Sequence, residues 1–98
     1  MAKLALYAHL KAKPGKEAEV EAFLKQGATM ADNEKGTVHW FAFKEDESGA
    51  YGIFDTFHDE EGRQAHLNGE IAKALMANAS ELFSNEIKIE NMEILARK

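Results

Sequence analysis

The stretch from Thr37 to Leu67 constrains this chain more than any other. Two apolar, aromatic-rich runs, TVHWFAFK and AYGIFDTF, flank a polar Glu-Asp-Glu-Ser-Gly turn. Successive side chains of a strand point to opposite faces, and both runs carry apolar residues on both faces. A sheet made from them must be covered twice. The chain's own helices can cover one face. For a chain of 98 residues, the most economical cover for the other is a second copy, so a homodimer is expected.

The rest of the composition narrows the class. The length suits one domain, residues 1–98, with a modest core that a dimer would help. Hydrophobic content of 45% with 30% charged residues is ordinary for a globular chain. The formal charge is −5, from 12 basic and 17 acidic residues. Lysines are scattered and no basic cluster forms, so nucleic-acid binding is not expected. The chain has no cysteine, which removes disulfides, thiolate chemistry and cysteine metal sites. Its first residues are too short and too interrupted for a signal sequence. No run approaches the ~18 apolar residues of a membrane span. A soluble cytoplasmic protein with no membrane partner is expected.

Lys3 to Lys11 reads as a strand, with Leu4, Leu6, Ala8 and Leu10 on one face and Ala5, Tyr7 and His9 on the other. Lys13 to Lys16 is a turn. A helix follows to about Ala31, its apolar stripe set by Val20, Phe23, Leu24, Gly27 and Ala28. Asp32 to Gly36 is a polar loop. Thr37–Lys44 and Ala50–Phe57 form a hairpin of strands. Asp59 is placed to cap a short helix that runs to about Leu67. Asn68-Gly69 breaks it, a second helical piece runs from Glu70 to Phe83, and Ile87–Ala96 is the last strand. The order is β-α-β-β-α-β. It predicts an α+β, ferredoxin-like fold with a four-stranded antiparallel sheet.

Several side chains could carry chemistry. His66, near the end of the short helix, is either a capping or solvated histidine or an acid–base group. Asp55 lies inside an apolar strand, where a carboxylate is paired or holds its proton more tightly. It is either a structural ion-pair partner or a general base. Arg63 is expected to pair with Asp59, four residues back, and could instead steady an anionic oxygen. Trp40 is core packing or a stacking surface for a flat ligand, and His39 beside it must face the other way. Phe41, Phe43, Phe54 and Phe57 read first as core. Four histidines, His9, His39, His58 and His66, show no metal-ligand spacing, so no metal site is expected. There is no phosphate-binding glycine loop and no nucleophile elbow.

The pieces together resemble a known family. An early strand and a Lys-Pro-Gly-Lys turn lead into an acidic helix, then a Gly36-Thr37…Trp40 strand start. Gly52-Ile53-Phe54-Asp55-Thr56-Phe57 follows, then an acidic turn, then Ala65-His66-Leu67. This is similar to the antibiotic biosynthesis monooxygenase family, the dimeric α/β barrel group with quinol monooxygenase-like members, over residues 3 to 95. The resemblance implies a homodimer joined through its sheets. It also implies oxidation of a small aromatic or quinol-type substrate with O2 and no cofactor. It places His66 at the family's acid–base position. In that setting Trp40, Phe54, Tyr51 and Phe23 are candidates to line the substrate pocket, with Arg63 as anion stabiliser and Asp55 as a further catalytic candidate. Haem-degrading relatives use a first-strand Asn, a helix Trp and a later His. This chain has Ala8 and His9, His66, and Leu75-Met76-Ala77 in those places, so haem degradation is not expected. The rival expectation is a non-catalytic dimeric module that binds a small hydrophobic ligand or serves a stress-protective role. A pocket reached by His66 between helices and sheet would favour the enzyme.

Overall fold

The computed structural model describes residues 3–84 and 86–98. Strand β1 (Leu4–Lys11) is followed by helix α1 (Glu17–Ala31), β2 (Thr37–Lys44), β3 (Ala50–Phe57), α2 (Glu60–Leu67), α3 (Glu70–Leu82) and β4 (Lys88–Glu93). The four strands make one antiparallel sheet in the order β2-β3-β1-β4. Three helices with this sheet give the ferredoxin-like α+β arrangement. The last strand is shorter than its alternation suggests. β1 begins at Leu4, opposite Glu93, so later residues have no strand to pair with.

Register decides which side chains meet. Trp40, Asp55, Leu6 and Asn91 form one row across the sheet, and Ala42, Ile53, Ala8 and Ile89 form the next. These rows face the helices. Ala8, Leu10, Tyr51 and Ile53 pack there against Val20 and Leu24 of α1 and Leu75 and Leu82 of α3. Each fully buried apolar side chain of this kind contributes roughly 1.5–3 kcal/mol. The alternate rows, with Tyr7, His9, Phe41, Phe43 and Phe54, lie on the sheet's other face, which no helix covers among the described residues. Phe41 is 56% exposed there. Tyr7 stacks on His9 with ring centres 4.1 Å apart, and the His9 ring meets Glu90 at 2.7 Å.

Helix α2 docks in an unusual way. Its buried positions are Gly62 and His66, one turn apart, with no large aliphatic pair. The Asp59 side chain accepts from the Gly62 N–H at 2.8 Å and caps the helix, worth about 1 kcal/mol. A Cβ on Gly62 would lie 2.8 Å from the Gly36 carbonyl oxygen, and one on Gly36 would lie 2.8 Å from the Gly62 Cα. This glycine-on-glycine contact brings the α1–β2 loop against α2. Gly62→Ala gains about 1 kcal/mol of helix propensity but drives a methyl into backbone that has no side chain to rotate away. The expected result of chemical denaturation is a net loss of ~1–3 kcal/mol.

Candidate active site

The site is built where the Trp40–Asp55 row passes beneath α2. Asp55 is 2% exposed in the middle of the sheet. His66 projects from the last turn of α2, and its Nε2 lies 2.9 Å from Asp55 Oδ2. Its Nδ1 lies 2.5 Å from Glu34 Oε1. Glu34 sits in the loop before β2 and also accepts from the Thr37 hydroxyl at 2.8 Å. One imidazole is therefore held between two carboxylates, and the three groups come from three separate parts of the fold.

Burial alone would disfavour the imidazolium. Hydrogen bonds donated by the ring to Asp55 and Glu34, with the charges of both, more than reverse this, and His66 holds its proton to higher pH than a free imidazole. Its place in the last turn of α2 adds a favourable dipole.

A small cavity of about 30 Å³ adjoins this chain. Its floor is Leu6, Ala8, Trp40, Ile53, Asp55 and Ile89 of the sheet, and its roof is His66, Leu67, Ile71, Ala72 and Leu75. Two buried polar atoms have no hydrogen-bond partner among the described residues, and both belong to residues lining this cavity. They are Trp40 Nε1, a donor, and Asp55 Oδ1, an acceptor. Leaving such a group unmet costs about 1–3 kcal/mol, and here the two groups, one donor and one acceptor, belong to residues that line the same cavity. The Trp40 ring reaches this position because α1 carries Gly27 above it. A Cβ at that residue would lie 2.9 Å from the indole.

Of the residues singled out in the sequence, the fold brings His66, Asp55 and Trp40 together. The remaining site candidates do not line the small cavity. Arg63 binds Glu60 on its own helix, not Asp59, whose side chain is spent on the cap. Phe54 pairs with Tyr7 and Phe41 on the far face of the sheet, so strand alternation keeps it out of the cavity. Tyr51 is on the helix side, but its hydroxyl donates to Glu21 Oε2 at 2.6 Å. Burial, with the Glu21 carboxylate beside it, pushes the phenol up to about 12. Phe23 lines a shallow surface between α1 and α3 with Ala22, Asn78 and Leu82. Glu34 escaped sequence reasoning. It lies 32 positions from His66 in a loop of polar residues, and nothing in its neighbourhood marks it.

Fold and site define a ferredoxin-like α+β protein with a carboxylate–imidazole–carboxylate chain beside a partly apolar cavity. The profile of the antibiotic biosynthesis monooxygenase family matches residues 4–78, and the chain belongs to that family. A Nitrosomonas europaea protein of unknown function shares 54% identity and superposes with a TM-score of 0.95, over 100% of this chain and 94% of its own. A Caulobacter crescentus protein, provisionally assigned as an antibiotic biosynthesis monooxygenase, superposes with a TM-score of 0.80 at 23% identity, over 97% and 92% of the two chains. A Deinococcus radiodurans protein with the same provisional assignment gives 0.80 at 16% identity, over 97% and 95%. At those identities the last two show a shared fold. No functionally curated protein matches the chain. Among the described residues, no helix is long and apolar enough to cross a membrane.

The His66 environment carries a pH signature. The folded state binds the His66 proton more tightly than the unfolded chain does. Its contribution to stability is therefore fully present below the unfolded value of about 6.5 and is lost as pH rises through the higher folded value. Urea unfolding of the wild type is expected to show this loss from about pH 6.5 upward. In His66→Gln the same window is expected to be flatter.

Proposed function

We propose that this protein is a cofactor-independent monooxygenase that oxidises a small aromatic or quinol-type substrate with O2, acting as a cytoplasmic homodimer. The observation that carries the reading is the pair of unmet polar atoms beside His66. In this reading a phenolic hydroxyl accepts from Trp40 Nε1 and donates to Asp55 Oδ1, which is what each atom lacks. Asp55 then takes the hydroxyl proton, and the His66 ring beside it answers its change of charge.

The resulting anion passes one electron to O2. Superoxide and the substrate radical combine into a C–O bond at a ring carbon. Asp55 returns its proton to the peroxide so formed, and loss of the ring carbon's own proton with cleavage of the O–O bond then releases water and leaves a carbonyl. One O2 supplies one oxygen atom to product and one to water, and the substrate supplies all the electrons. The apolar walls keep bulk water from the anion. The cavity has the volume of about one water molecule, enough for the hydroxyl head. The ring needs more room, and Leu67, Ile71 and Ala72 at the α2–α3 elbow are the side chains that would yield to it.

Oxygen uptake by purified, chelator-treated protein is the direct test, with a panel of hydroquinones and anthrone-like phenols. Uptake is expected in the wild type and is expected to fall by ~100-fold or more in His66→Ala and Asp55→Asn. No uptake above the uncatalysed rate across the panel would count against the reading.

A second reading is favoured by a larger groove of about 410 Å³ that wraps the β2 edge against α1, lined by Leu24, Ala28, Trp40, Phe41, Phe43 and Tyr51. It is large and apolar enough to hold a small aromatic molecule without chemistry. In that case ligand binding would survive Asp55→Asn unchanged.

The uncovered face of the sheet supports the homodimer. Tyr7, Phe41, Phe43 and Phe54 on that face are the material of a sheet-to-sheet interface. Sedimentation at micromolar concentration is expected to show a dimer, and Phe41→Glu to shift it toward monomer. A wild-type monomer under those conditions would contradict the proposal.

A further inference from the structure

We propose that Glu34 is a positioning residue that gives the buried site a proton exit: as Asp55 takes a proton from a bound hydroxyl, His66 passes its Nδ1 proton to Glu34 and on to solvent. The inference rests on the acid–base reading of the cavity and adds to it a direction and a second carboxylate.

Geometry supplies the direction. His66 lines two spaces, the inner cavity shared with Asp55 and an outer, open pocket of about 400 Å³ shared with Glu34. Asp55 borders only the first of these, and Glu34 only the second. Side-chain exposure rises along the chain from 3% at Asp55 to 8% at His66 and 19% at Glu34. Both ring nitrogens are engaged, one toward the dry side and one toward the wet side. A histidine needed only to neutralise Asp55 would require no second carboxylate. Burying another acid at the same ring adds desolvation cost with no gain in apolar packing.

Other charged groups around His66 leave the role to Glu34. Arg63, one turn earlier on α2, is held by Glu60. Lys35 from the same loop and Glu70 from the start of α3 border the outer pocket, and no bond from either to the imidazole is present. Glu34 Oε1 is fixed by the Thr37 hydroxyl and by His66, while Oε2 lies close to Gly69 at the α2–α3 elbow.

The proton account closes. Before the step, Asp55 and Glu34 are carboxylates and His66 is an imidazolium. The ligand hydroxyl gives its proton to Asp55 Oδ1. The imidazolium gives its Nδ1 proton to Glu34 Oε1, keeping its Nε2 proton toward Asp55 Oδ2, and Glu34 releases a proton to water. The three groups carry one net negative charge before and after. The buried site therefore never has to hold an added proton without a compensating departure. Glu34 acts through His66 and touches no ligand.

The test uses 4-nitrophenol, whose phenol and phenolate forms differ in colour, mixed with the full chain in weakly buffered solution containing a pH indicator. Wild type is expected to bind it as phenolate and to release a proton to solvent in the same kinetic phase. Glu34→Gln keeps an acceptor oxygen but cannot take up a proton. It is expected to slow release by ~10-fold or more, and Glu34→Asp to recover most of the rate. Asp55→Asn is expected to abolish ionisation of the ligand. Nitrogen-15 spectra of the His66 ring confirm that each variant is folded. They are expected to show the imidazolium of Glu34→Gln disappearing at lower pH than in the wild type. Proton release from Glu34→Gln at the wild-type rate, with the phenol still ionised, would overturn the relay and leave the acid–base reading intact. Failure of the wild type to ionise the phenol would overturn that reading and the relay with it.

Discussion

A carboxylate in the centre of the sheet must be answered, and the way Asp55 is answered organises the upper half of this molecule. Asp55 lies between Leu6 and Trp40 in its cross-strand row, with apolar neighbours and almost no access to water. His66 meets it from above. A buried ion pair is not by itself a source of stability, because desolvation offsets most of the attraction. Removing one partner, however, strands the other at a cost of about 3–5 kcal/mol. The pair therefore acts as a key for the position of α2. That helix has no aliphatic stripe to seat it and depends on Gly62, His66 and the Asp59 cap. Position and rotation of α2 are fixed by chemistry that is also suited to proton transfer.

The sheet divides its labour by face. Toward the helices it carries a conventional apolar core at the Tyr51 and Ile53 end and, at the Asp55 end, a mostly apolar cavity with a buried acid and imidazole in its wall. Away from the helices it carries aromatic rings that, among the described residues, no helix covers. Period-two alternation makes this possible. Neighbouring residues such as Phe54 and Asp55, or Trp40 and Phe41, serve opposite faces without interfering. The same alternation corrects an expectation drawn from composition, since Phe54 is beside the acid in sequence and across the sheet from the cavity in space.

Much of the architecture was legible in the chain. The bounds of β2 and β3 follow from their β-branched and aromatic runs, and the break between α2 and α3 falls at Asn68-Gly69 as the sequence suggests. The end of β4 was not legible, because its length is set by where β1 starts. Within the site, Asp55 and His66 stand out as polar residues in places that favour apolar ones. Arg63 drew attention as the cation nearest His66 on the same helix. Its partner, Glu60, was decided by the rotation of α2 once Asp59 had turned inward as the cap.

The amino-acid sequence by itself determined the order of elements, the two-faced sheet and the presence of an acid and an imidazole on segments that could meet. These depend on local periodicity and on residue type. Only the tertiary structure decided that Trp40 faces the helices, that Trp40 and Asp55, each with an unmet buried polar atom, line the same cavity, and that Glu34 closes the other side of His66. Those facts depend on register and on the glycine contact between Gly36 and Gly62. Such constraints act between residues far apart in the chain, and no local pattern records them.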